Sequence, residues 1–121
     1  MSTALVVDDS KTDLEIVRHF LTQHGLNVVT AANGEETLAI LSEQKPDLVV
    51  LDVVLPDLSG FELCRQIKED DTTCQIPVII CSTKGTEMDK FWGMKQGASA
   101  YLEKPVDNSE LSSAVKQLLG V

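Results

Sequence analysis

The chain has 121 residues, 43% of them hydrophobic, and its ten basic and nineteen acidic side chains give a formal net charge of −9. That length matches one domain, and that hydrophobic share excludes an intrinsically disordered chain. The acidic balance argues against nucleic-acid binding through phosphate contacts, which needs a basic patch, and suits a protein that gathers carboxylates around a metal.

Ala4-Leu5-Val6-Val7 opens the chain with a continuous apolar run, as expected of a parallel strand buried on both faces. Residues 11–24 place Leu14, Val17 and Leu21 at spacings of three and four, a helical period, with Ser10 to cap the helix and Gly25 to close it. A more mixed run over residues 26–30 reads as a second strand. Leu48-Val49-Val50-Leu51 and Val78-Ile79-Ile80-Cys81 read as the third and fourth. In the fourth helix, Phe91 and Met94 are expected to face the sheet with Met88, while Trp92 points outward and Gly97 ends the helix. Residues 100–102 form a short fifth strand. Leu111, Val115 and Leu118 mark a last helix over residues 107–119, capped by Asp107 or Asn108. Five β-α units in alternation build a parallel sheet with helices on both faces. With no repeat, low-complexity tract or linker, residues 1–121 read as one domain.

The opening MSTALVVDDS has no basic flank and no long apolar run, so no signal peptide is expected there. No apolar stretch approaches the ~20 residues of a membrane span. Cys64, Cys74 and Cys81 are odd in number and form no CxxC pair, as expected of reduced thiols. A cytoplasmic protein without membrane insertion is expected. His19 and His24 have no metal-ligating neighbours in sequence and are expected on the solvent side.

In sheets of this kind ligands bind beyond the carboxyl ends of the strands. The first strand runs into Asp8-Asp9, the third into Asp52, the fourth into Ser82-Thr83 and the fifth into Lys104-Pro105. Any one of these is an ordinary cap or turn; all four at strand ends are not. Converging carboxylates repel one another by roughly 4 kcal/mol per pair at 4 Å and an effective dielectric near 20. A hard divalent cation such as Mg²⁺ removes that repulsion. Phosphoryl transfer needs mainly positioning and charge stabilisation, and a carboxylate is a competent nucleophile for it. Lys104 supplies a positive charge and Ser82 a hydroxyl donor.

VVDDS, LVVLDVVLPDLSG, PVIICST and GASAYLEKP, in this order and spacing, closely resemble the response-regulator receiver domain. The resemblance implies a flavodoxin-like (βα)5 fold with strand order 2-1-3-4-5. It implies that Asp52 accepts a phosphoryl group, and that Asp9, Asp52 and the backbone carbonyl of Val54 ligate Mg²⁺ directly, with Asp8 acting through water. Mn²⁺ is a possible substitute. Ser82 matches the switch hydroxyl, Tyr101 the switch aromatic and Lys104 the active-site lysine, followed by a cis bond to Pro105. Gly60 fits a tight loop ahead of the third helix.

The implied partners are a histidine kinase or phosphotransfer protein and an output protein. Output contact is expected on the face of the fourth helix, fifth strand and fifth helix, with Trp92 and Tyr101 on it; a phosphoryl relay or phosphate sink is the alternative. The only catalysis implied is of the chain's own phosphorylation and dephosphorylation, and a monomer is expected, with weak dimerisation as its alternative. Val54 and Lys84 depart from common members and are expected to set the phosphoryl lifetime. DKFWGMKQGA is similar to receivers of twitching-motility pathways.

Three rivals fit less well. A dehalogenase-type aspartyl-phosphate enzyme needs an acid where Val54 stands. A flavin module needs a Ser/Thr/Gly loop where Asp8 and Asp9 stand. A degenerate receiver is disfavoured by the intact Asp9, Asp52, Ser82 and Lys104.

Overall fold

The computed structural model describes residues 1–120. Strands and helices alternate as β1 (Thr3–Val7), α1 (Lys11–Gln23), β2 (Asn27–Ala31), α2 (Gly34–Glu43), β3 (Leu48–Leu51), α3 (Gly60–Glu69), β4 (Val78–Ser82), α4 (Glu87–Lys95), β5 (Ala100–Glu103) and α5 (Asn108–Leu119). The strands pair in parallel in the order β2-β1-β3-β4-β5, the doubly wound flavodoxin-like arrangement.

The continuous apolar runs are continuous because each serves two cores. Leu5, Val7, Val49, Leu51, Val78 and Ile80 pack with Leu41 of α2 and Leu63 and Ile67 of α3. Their neighbours Ala4, Val6, Leu48, Val50, Ile79 and Cys81 point the other way, onto Val17 and Leu21 of α1 and Leu111 and Val115 of α5. Burying one such large aliphatic side chain contributes about 1.5–3 kcal/mol, which makes the three central strands the anchor of the fold. The edge strands β2 and β5 are only partly covered, and their sequences are correspondingly mixed.

Caps set the helix starts. The Ser10 hydroxyl accepts from the Asp13 amide at 3.3 Å, and the Asp107 carboxylate accepts from the Glu110 amide at 3.0 Å. Asp107, not Asn108, is therefore the cap of α5. Gly25 and Gly97 follow α1 and α4 at φ +91° and +103°, where a side chain would be strained. Cys64 and Cys81 are buried free thiols with pKa values pushed up by burial to about 11 and about 12. No helix among the described residues is long and apolar enough to cross a membrane.

Helix α4 departs from the sequence expectation. Met88, Phe91 and Met94 are 71%, 59% and 48% exposed, not turned to the sheet, and Trp92 is outward as expected at 48%. The residue that meets the sheet is Gly93. A Cβ there would come within 2.8 Å of the Tyr101 ring and 3.1 Å of Ile80. The tyrosine ring fills the space that a helix side chain would otherwise take, so the apolar residues of α4 are left on the outside.

Candidate functional site

The ends of the central strands lie level. Val7 pairs with Leu51 and Leu51 with Ile80, so the residues that follow emerge side by side. Asp8 leaves β1 with its amide on the Ala31 carbonyl, and the Asp52 amide continues the ladder onto the Val7 carbonyl, each at 3.1 Å. At the mouth of β3 the chain folds back sharply. The Gly60 amide donates to the Val53 carbonyl at 2.7 Å, and a Cβ on Gly60 would lie 2.0 Å from the Asp52 carbonyl oxygen. Only glycine lets α3 begin against the strand end.

Carboxylate oxygens of Asp8, Asp9 and Asp52 all lie within 4.8 Å of one another; Asp8 and Asp52 are buried and Asp9 is exposed. One Asp8 oxygen accepts from the Ser10 amide at 2.9 Å, and one Asp52 oxygen from the Val53 amide at 2.7 Å. The Lys104 Nζ, its side chain 7% exposed, reaches Asp8 at 2.7 Å, Asp13 at 2.8 Å and Asp52 at 3.2 Å. The Lys104–Pro105 bond is cis. Burial works against the lysine's charged form, but the bonds it donates to Asp13 and Asp8 and the charge of Asp52 outweigh it and raise its pKa. Burial raises the pKa of Asp8, against the Lys104 and Ser10 bonds that favour its ionised form.

The donor set suits a hard divalent cation. In their ionised forms Asp8, Asp9, Asp13 and Asp52 set four negative charges against the single positive charge of Lys104. The three converging groups are all carboxylates, the ligands Mg²⁺ prefers, and Asp9 opens the cluster to solvent.

Asp13 is the site residue that sequence reasoning missed. It stands 91 residues from Lys104 in the chain, and along the sequence it reads only as an acid in a helix's first turn, an ordinary position against the helix dipole.

Ser82, at the end of β4, is fully buried, and its hydroxyl accepts from the Lys84 amide at 3.2 Å. The Tyr101 phenol donates to the Lys84 carbonyl. The backbone of Lys84 thus stands between Ser82 and Tyr101, while its side chain is exposed. Burial, with the charge of Asp89 and against a hydrogen bond with Ser82, pushes the Tyr101 pKa up to about 12. The ring is half-buried against Gly93, and its hydroxyl has a partner in the β4–α4 loop. Val54 sits on the β3–α3 loop, 52% exposed. Trp92 borders a groove with Phe61, Arg65 and Gln96 between α3 and α4. His19 is exposed and His24 is partly covered, its ring nitrogen 3.2 Å from the Ser112 hydroxyl.

A family model described as the response regulator receiver domain matches residues 4–116. Protein PilH of Pseudomonas aeruginosa is 44% identical over 119 residues, which cover 98% of each chain. Among solved structures, a response regulator from Chloroflexus aurantiacus superposes with a TM-score of 0.94 at 34% identity, covering 99% of this chain and 98% of that one. A BeF3-activated DrrB receiver domain superposes with a TM-score of 0.90 at 37% identity, covering 100% of this chain and 99% of that one.

Proposed function

The chain belongs to the response regulator receiver domain family, and we propose that it works as a stand-alone response regulator whose phosphoryl acceptor is Asp52. The observation that carries this reading is the convergence on Asp52: a buried carboxylate at the end of β3, with Lys104 at 3.2 Å and the Asp8 and Asp9 carboxylates beside it. An Asp52 oxygen attacks the phosphorus of a donor, a histidine kinase or phosphotransfer protein. The bond from phosphorus to the donor breaks, and its electron pair leaves with the donor.

Asp9, Asp52 and the Val54 carbonyl would hold Mg²⁺, or Mn²⁺ in its place, with Asp8 at one remove through water; the engagement of Asp8 with Ser10 and Lys104 supports that more distant role. When bound, the ion offsets negative charge on the transferring group. Lys104 offers its protons to the phosphoryl oxygens, and Ser82 offers a hydroxyl from the end of β4. The backbone of Lys84 links Ser82 to Tyr101, so a pull on Ser82 is felt at the ring. Val54, two residues after Asp52, and Lys84, two residues after Ser82, would govern how readily water reaches the acyl phosphate. Output passes through protein contact on the face of α4, β5 and α5, where Tyr101 lies, while the exposed Trp92 flanks that face on the side of α4 that meets α3. The DKFWGMKQGA segment, similar to receivers of twitching-motility pathways, favours a motility pathway. The chain would act in the cytoplasm, where its donor works.

Incubation with acetyl phosphate and Mg²⁺, followed by intact-mass measurement, should add one phosphoryl group to the wild type and none to Asp52→Asn. Omitting Mg²⁺ should sharply reduce labelling. Equal labelling of the mutant would sink the assignment.

A further inference from the structure

We infer that Asp13 restrains Lys104 in the unphosphorylated chain and so weakens the site's hold on an incoming phosphoryl group. This rests on the reading of Asp52 as acceptor. An ammonium has three protons to donate. In Lys104 they have three carboxylate partners, Asp8 at 2.7 Å, Asp13 at 2.8 Å and Asp52 at 3.2 Å. The longest of the three is the one to the acceptor. A phosphoryl oxygen arriving at Asp52 must therefore take a proton that another group already holds.

Asp13 differs from the other two partners. Its carboxylate is outside the trio that converges within 4.8 Å, so it does not belong to the metal-binding set. It comes from the first turn of α1, not from a strand end. Its side chain is 39% exposed, against 5% for Asp8 and 11% for Asp52. An exposed carboxylate that gives up its lysine is rehydrated at once; a buried one is left without a partner. Asp13 is thus the partner that Lys104 leaves most readily, and the one whose hold on the lysine opposes the loaded state without building it. Its charge acts in the same direction, since a carboxylate beside the lysine repels the phosphoryl anion. A contact made in the empty state and surrendered in the loaded one shifts the equilibrium toward the empty state by its own worth.

A purely structural role would look different. Asp13 also lies in the first turn of α1, where its backbone amide is capped by Ser10 and its charge opposes the helix dipole. That contribution depends on the helix and not on Lys104.

Two measurements test the inference. The first is a double-mutant cycle on thermal unfolding without Mg²⁺, using Asp13→Asn, Lys104→Met and the pair. Asp13→Asn should lower the melting temperature when Lys104 is present and should lower it less, or not at all, when Met replaces it. Equal losses in the two backgrounds would mean a helix-dipole role and overturn the inference. The second is calorimetric titration with beryllofluoride at saturating Mg²⁺. Asp13→Asn should bind it about fivefold more tightly than the wild type, the scale of one partly exposed ion pair. Wild-type binding with equal or weaker affinity in Asp13→Asn overturns the inference alone. A wild type that takes up no beryllofluoride overturns the Asp52 reading and the inference with it.

Discussion

Gly93 meets the Tyr101 ring with no side chain of its own, and the consequence can be read from a single chromophore. Adding a methyl there would place a Cβ 2.8 Å from the ring, so the ring must move. Alanine gains about 1 kcal/mol of helix propensity over glycine, which partly masks the cost in a melting experiment. The tyrosine itself is the better reporter, because Tyr101 is the only tyrosine in the chain. Its pKa is pushed up to about 12 from an ordinary 10.0, mainly by burial. In Gly93→Ala the displaced ring is better hydrated, and its pKa should fall toward 10.0. Tyrosinate absorbance at about pH 11 should therefore be small in the wild type and large in the mutant. Identical titration curves would show that the ring does not rest on Gly93. The same residue explains a misreading. Phe91, Met94 and Met88 have helical spacing, and spacing reveals a face without saying what lies beneath it. The sheet-facing position is a glycine, which carries no hydropathy signal. Asp13 was illegible for another reason, since its partner is brought to it only by the closing of the sheet.

At the level of elements, strand ends and helix starts are tied together by loops that cap. The β3–α3 loop, which carries Val54, also carries Asp57, and the Asp57 carboxylate accepts from the Gly34 and Glu35 amides of α2, each at 2.9 Å. It does so alongside the Asn33 cap on the Glu36 amide. The Gly34 bond is the main cause holding the Asp57 pKa below its ordinary 3.8. A carboxylate with a depressed folded pKa stabilises the fold fully above its unfolded value and loses that contribution as pH falls through the folded one. The melting temperature of Asp57→Asn should thus lie below that of the wild type at neutral pH. The gap should close as pH drops below 3.8 and the wild-type carboxyl takes its proton. A gap independent of pH would mean that the amide bonds matter and the charge does not. Elements whose residues carry their own signal were legible: the strands by unbroken apolar runs, α1 and α5 by period and cap. This capping across two loops was not, because Asp57 and Gly34 are 23 residues apart and either alone is an unremarkable turn residue.

Over the whole molecule, the alternating elements sufficed to place Asp8, Asp9, Asp52, Ser82 and Lys104 at strand ends, and the level ends of β1, β3 and β4 bring the chemistry together there. What alternation does not convey is how firmly each helix is held. Every other helix sinks at least one leucine, isoleucine or valine into a core, whereas α4 buries only Gly93. Its detachment from the sheet therefore exposes little new apolar surface, and local opening costs least where least is buried. Amide hydrogens of residues 87–95 should exchange with deuterium sooner than those of α1, α3 or α5, and protection of α4 equal to that of α3 would contradict this. The helix that bears more exposed large apolar residues than any other is thus also the one most readily loosened, so a partner that clamps it would select one arrangement from a mobile set and would slow its exchange on binding.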